Sequence, residues 1–166
     1  MNSKKWFFLF FIIVLLLSLD GFVKAYTFSH IPKMSWLNPH YPYGGIGVFK
    51  NFLGIRFSIN HIGNLGAAWG SFSSYSDYLL ILRILISLGL FVYILFFNKG
   101  FQKTLAFGFV LAGALGNIFD FLFYGQVIDM FYFQFLGYSF PIFNLADVWI
   151  SVGVVWLFLL SFLHKP

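Results

Sequence analysis

The sequence predicts an all-α membrane protein, a four-transmembrane-helix bundle with a small β-rich element on its outer face. Three observations lead there. Of 166 residues, 60% are hydrophobic and only 9% charged. A soluble globular chain carries about 25% charged residues, so this one cannot cover a water-facing surface. Four stretches are long and apolar enough to cross a bilayer, which takes about 20 residues each. Between the first two lies a segment rich in glycine and proline, with strand-like alternation. The same composition excludes disordered chains, fibrous repeats and ordinary cytosolic enzymes. The chain has no cysteine, which excludes disulfides, thiolate zinc sites, iron–sulfur clusters and a cysteine nucleophile.

The whole chain, 1–166, reads as one integral membrane domain. Span one covers about 6–22 and follows Lys4 and Lys5. It has the outline of a secretory signal, but Val23 and Lys24 make a poor cleavage site, so it is expected to stay in place. The segment 24–77 follows. It carries Pro32, Pro42 and the run Gly44-Gly45-Ile46-Gly47, then the alternating Ile55-Arg56-Phe57-Ser58-Ile59-Asn60. Period-two alternation is a strand signal, so a β-rich element resting on the outer leaflet is expected here. Span two covers about 78–97, with Arg83 near its start, and span three about 104–124. Residues 125–143 return the chain as a hairpin, in which Met130 to Phe135 reads as an aromatic interfacial loop. Span four covers about 144–163.

Lysines orient these spans. Lys4, Lys5, Lys99, Lys103 and Lys165 all fall on one side, whereas 125–143 has no Lys or Arg. The positive-inside rule then places both termini and the 98–103 loop in the cytoplasm. On so apolar a chain, the net charge of +5 orients spans rather than binding nucleic acid.

The acids carry the chemistry. There is no Glu, and the Asp residues are Asp20, Asp77, Asp120, Asp129 and Asp147. Asp77 precedes span two, where an N-cap acid belongs. The other four converge near the outer ends of the spans. A protein poor in charge needs a reason to keep acids in or near a bilayer. Asp129 and Asp147 flank the return hairpin, which can bring their carboxylates together. Two close carboxylates do not both ionise cheaply and share a proton. One then serves as base and the other as acid, which suits activation of water and protonation of a leaving amine. Asn117 and Asp120 are three apart, on one helical face. Amide side chains such as Asn64, Asn117 and Asn144 offer donors and acceptors for a peptide backbone. Gly66, Ala67 and Ala68 are small enough to permit close backbone approach.

Other chemistries find little support. His30, His40, His61 and His164 show no paired helical spacing, and there is no HExxH. Ser71, Ser73 and Ser74 lack a nucleophile elbow. Lys24 at the outer interface reads as a snorkelling anchor. No metal or organic cofactor is indicated.

Five stretches, in order, resemble the lipoprotein signal peptidases (signal peptidase II). They are Leu19-Asp20-Gly21-Phe22-Val23-Lys24, Asn64-Leu65-Gly66-Ala67-Ala68-Trp69-Gly70, Gly113-Ala114-Leu115-Gly116-Asn117-Ile118-Phe119-Asp120, Gly125-Gln126-Val127-Ile128-Asp129 and Phe143-Asn144-Leu145-Ala146-Asp147. The resemblance covers nearly the whole chain. It implies a membrane aspartic endopeptidase of the bacterial inner membrane. Its substrate is a prolipoprotein, cut just before a cysteine that already carries diacylglycerol. It also implies that Asp129 and Asp147 are the catalytic pair, and that Asn64, Asn117 and Asn144 line the substrate site. Asp20 and Asp120 match acids that support that site. Two positions depart from the family pattern: Gly21 stands where Gln is usual, and Phe121 where Arg is usual. Arg56 and Lys24 are the candidates to supply the missing charge. Prolipoprotein and membrane lipid are the expected partners, nucleic acid is not, and a monomer is expected.

Two other classes fit intramembrane acids. One is a small proton- or ion-conducting subunit, and the other a structural subunit whose acids only cap helices. A conducting path needs acids or water across the bilayer depth. Here the inner halves of all four spans lack acids, which favours a site opening at the outer surface.

Overall fold

A computed structural model describes residues 2–35, 37–38, 40–66, 70–97 and 100–163. The expected positions Ala67, Ala68, Trp69, Lys99, His164 and Lys165 lie outside these. Among the described residues, four helices are long and apolar enough to cross a membrane. They are α1 (Ser3–His30), α2 (Ser76–Phe96), α3 (Phe101–Tyr124) and α4 (Leu145–Leu163). In hydrocarbon a backbone must satisfy its own polar groups, and a helix does so within one segment. The described residues form two compact units. One is helical and comprises 2–20, 80–119 and 145–163; the other comprises Gly21–Leu79 and Asp120–Asn144.

In the helical unit, small residues set the spacing. Ala106, Ala112 and Ala146 are buried. A Cβ on Gly113 would overlap the Ala146 carbonyl oxygen and lie 2.7 Å from Ile150 Cγ1. On Gly153 it would lie 2.6 Å from the Ala106 carbonyl oxygen. The backbones of α3 and α4 therefore approach at closely packed small residues, as spanning helices do without a hydrophobic drive between them. Leu9, Ile94 and Leu111 form a buried cluster, with Trp6 and Ile13 packed against it. Gly113→Val is expected to cost about 1–3 kcal/mol through overpacking. Thermal unfolding in detergent checks this, and an unchanged midpoint would contradict the close approach.

The second unit is built on a four-stranded antiparallel sheet of order β1-β2-β3-β4. Its strands are β1 (Ile46–Phe52), β2 (Ile55–Asn64), β3 (Val127–Phe135) and β4 (Tyr138–Ser139). Aromatic rings line one face across the strands. Phe57 stacks on Phe133 with centroids 4.2 Å apart, and Phe133 in turn on Phe143 at 6.0 Å. Such cross-strand pairs are the unit of sheet stability. The Tyr41 hydroxyl donates to the carbonyls of Phe49 and Phe57, and Asn60 Nδ2 to that of Pro42 at 2.7 Å. These bonds tie the chain before β1 to the sheet.

Three expectations are corrected. Residues 24–30 are not part of the β-rich element but the last two turns of α1. No proline interrupts the run until Pro32, and the Ile31 N–H still bonds to the Thr27 carbonyl at 3.0 Å. Residues 130–135 are not a loop but lie within β3, where Phe131 to Phe135 pair with Ile59 to Ile55 of β2. Phe131, Phe133 and Phe135 do alternate with Met130, Tyr132 and Gln134, but nearly all are apolar, so polarity hid the period. Asp77 is the second residue of α2 rather than its N-cap, where its charge suits the helix dipole.

Candidate functional site

The first cluster centres on Asp129, a buried residue of β3. Asn144 Nδ2 donates to its Oδ1 at 2.7 Å, and Asn64 Nδ2 to its Oδ2 at 3.0 Å. Asn64 Oδ1 accepts the Gly66 N–H at 2.9 Å. That bond fixes which end of the amide faces the acid. Both carboxylate oxygens are thus held, and the carboxylate plane is defined from two sides.

Register explains how Asn64 reaches this carboxylate. Along most of the ladder Ile59 pairs with Phe131, but further on Ile62 pairs with Asp129. Three residues of β2 advance against two of β3, so one extra residue sits near Asn60 and His61. Without that bulge His61 would oppose Asp129, and Asn64 would point to the other face of the sheet. Side chains alternate faces at period two, and a bulge switches that parity. With it, Asn64 and Asp129 are diagonal neighbours on one face. Both line a cavity of about 460 Å³, with Gly63, Tyr132 and Phe140 among its walls.

The second cluster lies in the helical unit. Asp147 stands in the first turn of α4, and Asn117 Nδ2 donates to its Oδ1 at 2.9 Å. Beside it the Ala146 N–H donates to Asp20 Oδ1 at 2.9 Å. The first turn of a helix has amides without intrahelical partners and a positive dipole end. Asp20, from α1, meets both needs for α4. A Cβ on Gly116 would lie 2.5 Å from Asp20 Oδ2, so a glycine there makes room for the carboxylate.

A third contact braces the sheet. Lys24 Nζ lies 2.9 Å from Asp120 Oδ2, and both side chains are buried. The Ile128 N–H donates to the same oxygen at 3.0 Å, directly before Asp129 in the chain. Lys24 is therefore an internal ion-pair partner, not the snorkelling anchor expected. Arg56 lies over the Tyr41 ring, 5.9 Å from its centroid.

The seven expected site residues thus fall into two groups. Asn64, Asp120, Asp129 and Asn144 belong to the sheet-bearing unit, and Asp20, Asn117 and Asp147 to the helical one. Sequence reasoning missed the pairing of Lys24 with Asp120. It also missed the cap that Asp20 gives to another helix. The four-residue step from Asp20 to Lys24 was a readable signal that both face the same way on α1. Among the described residues no three His, Asp or Glu side chains are grouped to hold a metal ion.

Comparison with known proteins adds an independent observation. The profile of the family described as Signal peptidase (SPase) II matches residues 12–163. A lipoprotein signal peptidase of Microcystis aeruginosa is 35% identical over 99% of this chain and 96% of its own length. One from Chlamydia muridarum is 37% identical over 86% of this chain and 84% of its own. One from Chlamydia pneumoniae is 46% identical over 61% of each chain. A solved bacterial membrane enzyme superposes with a TM-score of 0.77 at 26% identity, covering 95% of this chain and 93% of the other.

Proposed function

Because this chain belongs to the signal peptidase II family, a family of multi-pass bacterial membrane proteases that process prolipoproteins, we propose that Asp129 and Asp147 are the acid–base pair of its peptide hydrolysis. The observation that carries this reading is the shared pattern of support. Each of the two acids is gripped through an asparagine amide, Asp129 by Asn64 and Asn144, and Asp147 by Asn117. Chain connectivity supports the pairing. Asn144 holds Asp129 and precedes Asp147 by three residues, a span of at most about 11 Å.

In this mechanism one carboxylate takes a proton from a water molecule, and the water oxygen attacks the scissile carbonyl. The other carboxylic acid gives its proton to the leaving amine as the C–N bond breaks. The substrate is a prolipoprotein bearing diacylglycerol on its cysteine, cut just before that residue. Asn64, Asn117 and Asn144 orient the acids toward the peptide, and Asp20 and Asp120 hold the backbone around them. The lysine distribution supports cytoplasmic termini, with the site then near the outer face.

Purified protein in lipid nanodiscs, given the same prolipoprotein with and without diacylglyceryl modification, tests this. Cleavage of the lipidated form before its cysteine, with little of the other, is the expected result. Absence of cleavage by folded protein would return the acids to a conducting or structural role.

A further inference from the structure

Two sheet turns place large apolar side chains where such residues do not belong in water. The turn between β1 and β2 carries Leu53 at φ 52, and the turn between β3 and β4 carries Leu136 at φ 48. A left-handed conformation disfavours any side chain with a Cβ. Hairpin turns with positive φ favour Asn, Asp or Gly instead. The glycines Gly54 and Gly137 follow each leucine, so each turn already has a residue suited to it. Both leucines nevertheless occupy strained positions, and they are 85% and 80% exposed.

The two turns are one surface. The Leu136 N–H donates to the Gly54 carbonyl at 2.9 Å, and a Cβ on Gly54 would run into Leu136 Cδ2. Phe52 and Tyr138 flank them, 62% and 81% exposed. Exposed apolar patches of this kind mark interaction sites. Charge says what covers this one. Lys50 and Arg56 stand beside the first turn, and residues 21–76 contain no acid. The acid of the sheet, Asp129, is buried. Cations around an apolar tip, with an aromatic ring beside it, fit the interface of a bilayer bearing anionic phosphates.

We propose that the paired tips Leu53 and Leu136 insert into the lipid interface, with Lys50 and Arg56 at the phosphate level. The sheet is then held to the bilayer at the ends of its hairpins, independently of the spanning helices. This goes beyond peptide cleavage and stands whether or not the chain cleaves prolipoproteins.

The absence of cysteine makes the test clean. Nitroxide labels are placed on Leu53→Cys and, separately, Leu136→Cys in the full chain. The protein is reconstituted in phosphatidylcholine–phosphatidylglycerol vesicles. Both labels should be reached by oxygen and shielded several-fold from a water-soluble nickel chelate. Lys50→Glu with Arg56→Glu should raise chelate access at the Leu53 label. Free chelate access at both labels in the parent chain would overturn the proposal. So would spin–spin broadening at high lipid excess, which would mean that a second copy covers the tips.

Discussion

Asp129→Asn and Asp147→Asn each lower the rate of prolipoprotein cleavage by about 10²–10⁴-fold, the range for loss of a positioned acid or base. Asparagine keeps the shape of aspartate but neither takes nor gives a proton near neutral pH. The two variants differ in stability. At position 129 both oxygens accept amide donors. An asparagine there turns its own N–H group toward one of them, which costs about 1–3 kcal/mol for the lost bond and the donor left facing it. At position 147 the amide oxygen can still accept from Asn117. Rates measured on detergent-purified variants, beside their unfolding midpoints, separate the chemical loss from the structural one. A folded variant with native activity would remove that residue from the mechanism.

Lys24→Met destabilises the fold by about 3–5 kcal/mol, the cost of leaving one charge of a buried pair uncompensated. The Lys24 ammonium lies 2.9 Å from Asp120 and is fully enclosed. Asp120 also takes the Ile128 N–H, so the loss reaches the strand residue next to Asp129 and lowers activity as well. Asp120→Asn added to Lys24→Met restores much of the stability, because no unpaired charge remains. Denaturant or thermal unfolding of the single and double variants reads this out. A single-variant loss below about 1 kcal/mol, typical of an exposed pair, would contradict the buried bridge.

Much of this fold is legible in the sequence, and what is not has physical causes. The four spanning helices follow from uninterrupted apolar runs, and their ends shift by a few residues at most except in α1. There the sequence between Phe22 and Ile31 is apolar enough and free of breakers, so helix continues where composition suggested a new element. The strand character of Ile55 to Asn60 is readable because polar and apolar residues alternate. That of β3 is not, because Met130 to Phe135 is apolar or aromatic on both faces apart from Gln134. The acids and asparagines of the site stand out, since polar residues are rare in this chain. Their partners do not. Nothing local says that Asn64 and Asp129 share a face, because that depends on a one-residue bulge between strands far apart in sequence. Nor does any local signal say that Asp20 caps a helix starting at Leu145.

If Asp129 and Asp147 act as one catalytic pair, a double-mutant cycle of their Asn variants shows it. Groups that act together are lost together, so their effects do not add. Cleavage of lipidated prolipoprotein is measured for the native chain, both single variants and the double variant. The prediction is a double variant no slower than the slower single variant within about tenfold. Losses that multiply, or a single variant that keeps native activity, would contradict the shared pair.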